Sequence, residues 1–202
     1  MYLPTKFKQE NLAVILQLIQ NYPFATLITP GDNLTISHLP LVSETDGKHI
    51  TLYGHFARQN NQSKVSDQKN ITVIFHGPHT YINPHWYMKN NVPTWNYAAI
   101  HLQGVLILEE SLEKTLDGLK KLTQLVKHYD ANPWDFWVPT DLQNPDVLMN
   151  SIIGFKIIVD KVEAKYKLSQ NRSHEDVEGV KKGLAGRSDE MSQAVLNLMN
   201  SF

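Results

Sequence analysis

The chain has no cysteine among its 202 residues, which excludes disulfide bridges, thiolate metal sites and cysteine nucleophiles. A chain without cysteine fits a reducing cytoplasm. Long apolar runs are also lacking, since none approaches the roughly 20 residues that a membrane-spanning helix requires. The opening MYLPTKFKQEN has no apolar segment typical of a secretory signal. The sequence therefore predicts a cytoplasmic protein with no membrane partner.

An excess of one charge sign is missing as well, because the formal net charge is -1 and the pI is about 6.8. DNA binding through counterion release usually depends on a basic excess. The one basic stretch runs from Lys161 to Arg187, and its modest excess is more typical of a solvated face. No helix-turn-helix is evident. DNA stays open as a partner only through a local basic patch.

The motifs of several enzyme classes are absent. The sequence has no GxGxxG, P-loop, HExxH or GxSxG pattern. Nine histidines are present, and His76, His79 and His85 lie close together, but no carboxylate falls within residues 70–97 to complete a metal site. We predict no metal site and no catalytic acid, base or nucleophile.

Two stretches show helical periodicity. Apolar residues recur at helical spacing over residues 8–21 and 111–130, which predicts two long amphipathic helices. We also expect a Pro- and Trp-rich connector over residues 132–145 and two short helices that start near Ser173 and Ser188.

Elsewhere the apolar period is two, which predicts antiparallel strands. The runs FATLIT, LTISHLPLV and HITLYGHF predict a meander, a short helix follows them, and NITVIFHG and residues 96–109 and 151–167 predict further strands. Several antiparallel strands without regular strand-helix alternation predict an α+β fold. We expect a closed or nearly closed barrel with helices packed outside.

The strand HITLYGHF ends at a polar junction. Its alternation places His55 on the face opposite Phe56, and Arg58 and Asn60 follow directly. Backbone N–H groups at a helix start together with a guanidinium suit a phosphate. The pattern equally fits a surface arginine beside a helix cap, so both interpretations stay open.

Polar and aromatic residues are concentrated in two further stretches. In PTWNYAAIHLQG, Trp95 and Tyr97 are typical either of a pocket that stacks a planar ring or of core aromatics. The run HGPHTYINPHWY, residues 76–87, adds histidines and aromatics at the predicted end of a strand. After the final strand, LSQNR either caps a turn or reaches a ligand.

Seven stretches, taken in order, closely resemble the PaiB-type family of FMN-binding negative transcriptional regulators. They are MYLPTKF, ISHLPL, GHFARQN, HGPHTYINPHWY, VPTWNY, GFKI and LSQNR, and the resemblance that they define extends over nearly the whole chain. The resemblance implies an antiparallel split β-barrel with flanking helices, of the pyridoxamine-phosphate-oxidase-like kind. It also implies a homodimer with FMN in a cleft at the subunit interface. The chain departs from the family pattern after Asn60, where Asn61, Gln62 and Ser63 stand in place of an expected proline and aromatic residue.

The resemblance also implies which residues bind the cofactor. FMN needs a cationic pocket for its phosphate and apolar or aromatic walls for its ring. The implied residues are His38, Leu39 and Pro40 under the flavin; His55, Ala57, Arg58 and Asn60 at the phosphate and ribityl chain; Thr94, Trp95, Asn96 and Gln103 beside the ring; and Gln170, Asn171 and Arg172 closing the site.

Three functions follow from these patterns. The first is a negative transcriptional regulator that uses the flavin as a redox or ligand sensor. The second is a flavin-dependent oxidoreductase without DNA binding, and the third is a haem-binding or haem-degrading protein with an axial histidine. We predict an FMN-binding domain over residues 1–168 and a C-terminal helical extension over residues 169–202 that closes the cleft.

Overall fold

The computed structural model describes residues 1–89, 91–111, 115, 117, 118, 121, 122 and 150–201. The predicted helix over residues 111–130 lies largely outside this set, and the predicted connector over residues 132–145 lies entirely outside it. The strands are β1 (Lys8–Gln9), β2 (Phe24–Thr29), β3 (Thr35–Pro40), β4 (Val42–Thr45), β5 (Ile50–Ala57), β6 (Lys69–Ile82), β7 (Thr94–Glu109) and β8 (Ile152–Lys167). The helices are α1 (Leu12–Asn21), α2 (Asn61–Ser66), α3 (His174–Ala185) and α4 (Glu190–Asn200), with short 3₁₀ helices at Thr5–Phe7 and Pro84–Trp86.

These elements form two compact units that interleave along the sequence. Unit 1 comprises Met1–Ile15, His76–Ile100 and Glu163–Phe202, and unit 2 comprises Leu16–Phe75 and His101–Val162. The strands β6, β7 and β8 each contribute residues to both units. The boundary predicted at residue 168 does not separate the units.

The strands form an antiparallel sheet. The strand order is β3-β2-β6-β7-β8-β5-β4, and β1 pairs with β8. Alternate residues of these strands are buried, and the side chains of Leu27, Leu52, Phe75 and Ile157 have no exposed surface. Antiparallel strands with separate helices define the predicted α+β class. No helix among the residues described has the length and apolarity needed to cross a membrane.

The predicted three-stranded meander is wrong in its middle run. LTISHLPLV divides into β3 and β4, which lie at opposite ends of the strand order. Between them Leu41 is fully buried, and its amide donates to the Pro23 carbonyl at 3.0 Å. A proline at position 40 ends β3, so the chain leaves one edge of the sheet and starts a new strand at the other.

β6 does not end at the histidine-rich run, as the sequence predicted, but continues to Ile82. Its buried positions are odd-numbered up to Gly77 and even-numbered from Pro78 onward. The strand therefore changes the face that it buries between Gly77 and Pro78. As a result His76 and His79, three residues apart, are both exposed.

In unit 1, β1 pairs with β8 through Lys8 and Lys165. The C-terminal helices α3 and α4 begin after the N-caps Ser173 and Asp189, close to the predicted starts. Trp86 packs on α3 where the helix carries two glycines. A Cβ at Gly179 would collide with the Trp86 carbonyl, and a Cβ at Gly183 would collide with the indole ring.

Candidate cofactor site

Unit 2 contains the junction where β5 ends and α2 begins. Two of its amides are used by the backbone: Arg58 N donates to Ser151 O at 2.8 Å, and Asn60 N donates to the Ala57 carbonyl at 2.8 Å. The Gln62 amide donates to Asn60 Oδ1 at 2.9 Å. The prediction of free N–H groups is therefore wrong at these positions, because turn bonds and the Asn60 cap occupy them. The junction can therefore bind a ligand through its side chains.

Arg58 supplies a positive charge at this junction. Its side chain is exposed, and Nε donates to the Asn150 carbonyl at 2.8 Å. This bond holds one edge of the guanidinium, and the planar group suits a phosphate. The neighbouring Ala57 is exposed and small, so it leaves space beside the guanidinium.

Asn60 joins the start of α2 to β3. In addition to its capping bond, Nδ2 donates to Ser37 Oγ at 2.9 Å. The side chain is half-buried, and both its oxygen and its nitrogen are engaged within unit 2. The geometry gives Asn60 a positioning role at the junction.

The β3 residues predicted under the flavin point in alternating directions. His38 and Pro40 are exposed, whereas the Leu39 side chain is buried in unit 2. The His38 Nδ1 lies 3.1 Å from Thr26 Oγ1, and its ring stacks on Phe24 with centroids 6.3 Å apart. The exposed face of β3 therefore presents an ordered imidazole.

His55 carries an unsatisfied polar atom. Its Nδ1 is buried and has no hydrogen-bond partner within the described ranges, and burial lowers the pKa of the imidazole. A buried polar atom without a partner is costly. A ribityl hydroxyl or a phosphate oxygen would supply the missing bond. His55 and Arg58 thus fit the polar half of FMN.

Unit 1 contains an open cleft of about 390 Å³. Trp95 is 52% exposed, lies 6.2 Å from the His79 ring and meets the Tyr81 ring edge-on at 6.3 Å. Of the two interpretations of this stretch, the structure supports the pocket, because the indole lies at the surface. The cleft is lined by His76, Gly77, His79, Trp95, Tyr97, Ala98 and Ala99.

The other residues predicted beside the ring lie in different settings. Thr94 is in unit 1, and its Oγ1 accepts a bond from Lys167 Nζ at 2.6 Å. Asn96 is fully buried, and its amide donates to Ser169 Oγ at 3.0 Å. Gln103 is exposed on β7 within unit 2. The structure therefore brings Thr94 and Trp95 together, while the Asn96 side chain faces the core.

LSQNR forms a tight turn after β8. Gln170 Nε2 donates to the Tyr166 carbonyl at 2.6 Å, and Gln170 Oε1 accepts from the Leu168 amide at 2.7 Å. Ser169 has a positive φ of 69°. The structure supports the turn-capping interpretation for Gln170. Asn171 is exposed, and the Arg172 guanidinium lies 4.9 Å from the Tyr87 ring centroid.

Sequence reasoning missed two lysines of β8. Lys165 is only 8% exposed and lies 5.5 Å from the Tyr97 ring, and Lys167 bonds to Thr94 and to the Trp95 carbonyl. Burial, and then the charges of Lys165 and Arg172, lower the pKa of Lys167. The alternating lysines of EAKYK were the available signal, because residues two apart share a strand face.

The described side chains offer no arrangement for metal chemistry, since no three His, Asp or Glu residues in the covered part of the chain cluster as ligands. The residues of the junction in unit 2 and those around the cleft in unit 1 instead supply cations, hydrogen-bonding groups and an aromatic wall. These are the groups that orient an organic cofactor.

The chain belongs to a family of FMN-binding domains. Residues 1–161 match the family described as "Putative FMN-binding domain". The predicted family is therefore confirmed, and so is the predicted cofactor, FMN.

A bacterial relative agrees with this assignment. The chain is 36% identical over 203 residues to the Bacillus subtilis (strain 168) protein named "Protease synthase and sporulation protein PAI 2", which covers 98% of this chain and 96% of the relative. The family resemblance that the sequence motifs indicated therefore extends over almost the whole length of both chains.

Two solved structures share the fold. The FAD and heme binding protein from Mycobacterium smegmatis has a TM-score of 0.63 at 12% identity, covering 90% of this chain and 80% of that one. The flavocytochrome Anf3 from Azotobacter vinelandii has a TM-score of 0.58 at 11% identity, covering 93% and 75%. The fold class is the predicted antiparallel split β-barrel with flanking helices.

Proposed function

We propose that the chain is an FMN-binding, PaiB-like protein that takes part in negative transcriptional control, with the flavin as a redox or ligand sensor. The family match supports FMN, and the Bacillus subtilis relative, named for protease synthase and sporulation, supports a regulatory role. The observation that carries the proposal is the junction in unit 2, where the buried unpartnered nitrogen of His55 lies three residues before the exposed Arg58.

In this proposal each side chain has a distinct task. Arg58 holds the phosphate of FMN, because its guanidinium is exposed and oriented by the Asn150 carbonyl. His55 bonds the ribityl chain, Asn60 keeps α2 in place, and His38 and Pro40 present the exposed surface of β3. Bound FMN supplies electron and hydride transfer.

In unit 1, Trp95 offers a stacking surface for a planar ring, and Thr94 is held beside it by Lys167. Planar aromatic rings stack on exposed indole rings because both have polarisable faces. Asn171 and Arg172 follow the turn after β8, and both are proposed to contact FMN. The buried Asn96 side chain and the turn-forming Gln170 side chain make their hydrogen bonds within the protein.

We also propose a homodimer with the cofactor cleft at the subunit interface. The support is exposed apolar surface on one edge of unit 2: Phe24 is 64% exposed, Leu34 66% and Ile36 51%. Apolar side chains exposed together favour association. Light scattering coupled to gel filtration should give twice the chain mass of 23.1 kDa, and an Ile36→Lys variant should shift the protein toward monomer.

Titration of the apo-protein with FMN, followed by quenching of flavin fluorescence, tests the cofactor site. Arg58→Ala should weaken FMN binding about tenfold or more, since a charge-assisted bond to phosphate is lost. Lys64→Ala, which removes an exposed lysine of α2, should leave the affinity unchanged. A folded protein that binds no FMN would overturn the proposal.

Two further assays separate the regulator from an oxidoreductase. Sequence-specific retention of promoter DNA at physiological salt supports regulation by direct contact. Rapid oxidation of reduced nicotinamide by the FMN-loaded protein, with no DNA retention, supports a flavin-dependent oxidoreductase instead.

Haem binding is a second candidate, and the exposed histidines of β6 favour it. His76 and His79 are both exposed, and both line the cleft of unit 1. Either imidazole is a natural axial ligand. Haem titration should then give a Soret band that His76→Ala or His79→Ala abolishes and His85→Ala, outside the cleft lining, preserves. A band unchanged in all three variants argues against this candidate.

A further inference from the structure

A small pocket lies in unit 2, where residues of α1 and β4 line a common cavity. Its volume is about 150 Å³, and all of its lining residues fall within Leu16–Phe75 of unit 2. None of them is among the residues proposed to contact FMN. The lining residues are Leu16, Ile19, Gln20, Leu41, Val42, Ser43 and Thr45.

The pocket forms beside the last strand of the sheet. Among the described strands, β4 pairs with β5 alone and ends the strand order. The opposite wall is one face of α1, because Leu16, Ile19 and Gln20 are three and four residues apart. The Leu41 amide donates to the Pro23 carbonyl, just beyond the end of α1, at 3.0 Å. This bond ties the two walls together, so the pocket is preformed.

The floor of the pocket is apolar. Ile19 and Leu41 have no exposed surface, and Val42 is 8% exposed. Water over such a floor is favourably replaced by an apolar group. An apolar cavity of about this volume accommodates one benzene-sized ring. The floor therefore suits a ligand with a compact hydrocarbon body.

The rim of the pocket is polar. Gln20 and Thr45 are exposed, and Ser43 is half-buried. Thr45 Oγ1 accepts a bond from the Gly47 amide at 3.0 Å, whereas the side chains of Gln20 and Ser43 bond to no other group in the described ranges. A carboxamide and a hydroxyl together both donate and accept. The rim can therefore hold one hydroxyl group of a ligand.

The pocket also carries no charge. None of the seven lining side chains is ionisable. Glu44, the acidic residue of β4, is not among them and pairs with Lys121 at 2.8 Å. An ionised ligand would lose hydration in the pocket without gaining an opposite charge, which is unfavourable. The lining therefore selects a neutral ligand.

We propose that this pocket binds a small neutral alcohol with an apolar body of about six carbons. The body lies against Ile19 and Leu41, and the hydroxyl bonds to Gln20 and Ser43. The site goes beyond the proposed function, because its ligand is not the flavin.

Titration of the FMN-loaded protein with cyclohexanol, followed in methyl NMR spectra, tests the site. Cyclohexanol should shift the methyl signals of Ile19 and Leu41. Cyclohexanecarboxylate, which has the same ring and a negative charge, is the comparator. We expect it to bind at least about tenfold more weakly, because its charge finds no partner in the pocket.

Variants on both walls test the location. Ser43→Ile and Leu16→Trp add bulk from the strand and from the helix, and each should weaken cyclohexanol binding about tenfold or more. Gln20→Ala removes a rim group and should weaken binding about fivefold. Gln17→Ala, the matched change at an exposed glutamine of the same helix, should leave the affinity unchanged. Circular dichroism checks the fold of each variant, and the two glutamine variants decide the matter if the bulkier ones do not fold.

Unshifted methyl signals of Ile19 and Leu41 overturn the proposal, and so does equal affinity for the alcohol and the carboxylate. Equal losses in Gln20→Ala and Gln17→Ala also overturn it. The titration is repeated without FMN. Binding that appears only in the FMN-free protein means that cyclohexanol occupies the flavin site, which contradicts the proposal, whereas equal affinity in both states supports it.

Discussion

The guanidinium of Arg187 lies 4.7 Å from the centre of the Trp86 ring. Its Nη1 also donates to Thr80 Oγ1 at 3.0 Å and to the Tyr81 carbonyl at 2.9 Å. One side chain that precedes α4 therefore fixes both β6 and the 3₁₀ helix Pro84–Trp86 within unit 1. Because Tyr81 contacts the indole of Trp95, this link also supports the wall of the cleft.

We expect Arg187→Gln to lower the free energy of unfolding by about 2 kcal/mol, since it removes a cation–π contact and charge-assisted hydrogen bonds. Urea unfolding measures the change. Lys182→Gln, an exposed change on α3, should alter stability by less than about 0.5 kcal/mol. If Arg187→Gln has an equally small effect, the link contributes little to stability.

The packing of Trp86 on α3 gives a second prediction. A Cβ at Gly179 would meet the Trp86 carbonyl oxygen, and one at Gly183 would meet the indole ring. Gly183→Ala should therefore destabilise the protein by about 1–3 kcal/mol, despite the better helix propensity of alanine. Gly186→Ala is the matched control, because the nearest atom to its Cβ is 3.5 Å away and its φ is -77°.

The control should be neutral or stabilising by up to about 1 kcal/mol, as expected where alanine fits the backbone. Thermal unfolding of both variants gives the comparison. Equal melting temperatures for Gly183→Ala and Gly186→Ala would show that Trp86 can move away from the helix at little cost.

Much of the fold was predictable because it depends on local pattern. The alternation that buries Ile153, Phe155, Ile157 and Val159 predicted β8, and Ser173 predicted the start of α3. The change of buried face in β6 between Gly77 and Pro78 was not predictable, because apolar periodicity alone predicts an uninterrupted alternation.

The site divides in the same way. The exposed position of Arg58 followed from the predicted end of its strand, whereas for Trp95 the sequence left both a pocket and the core open. Asn96 could not be told from its exposed neighbours by residue type, because its burial is set by partners such as Ser169, far along the chain. Lys165 was missed for a related reason: the alternation in EAKYK places it on one strand face with Lys167, but lysine is rarely buried, so its burial could not be predicted from the sequence.

Gln62 shows why the departure after Asn60 matters and gives a third prediction. Its Nε2 lies within hydrogen-bonding distance of three acceptors that share its two hydrogens, Leu27 O at 3.1 Å, Thr29 Oγ1 at 3.0 Å and Thr35 O at 3.1 Å. The side chain is fully buried and ties α2 to β2 and β3. We expect Gln62→Met to cost about 1–3 kcal/mol, because a buried carbonyl loses its donor.

Chemical denaturation of Gln62→Met is compared with that of Lys64→Gln, an exposed position on the same helix. FMN affinity is measured in parallel. A weaker affinity in Gln62→Met but not in Lys64→Gln indicates that this helix positions the junction. Wild-type stability in Gln62→Met would contradict the anchoring role.

The fourth prediction concerns pH and follows from His55. Burial lowers the pKa of His55 below its ordinary value of 6.5 in the folded protein. Between the folded and unfolded pKa values the unfolded state binds more protons, so stability rises with pH in that window. The stability that depends on a neutral His55 is fully present above about pH 6.5 and is lost as the pH falls through the pKa of His55 in the folded protein.

Unfolding free energies measured from about pH 7.5 down to about pH 5 should therefore fall less steeply in His55→Gln than in the wild type. His85→Gln, an exposed histidine, serves as the control and should keep the wild-type slope. The same scan with saturating FMN distinguishes a purely structural histidine from a cofactor contact. If FMN supplies the missing partner of Nδ1, the affinity for FMN changes over the same pH window in the wild type and stays flatter in His55→Gln. A pH dependence of affinity that is identical in both proteins would remove His55 from the proposed site, while leaving its effect on stability intact.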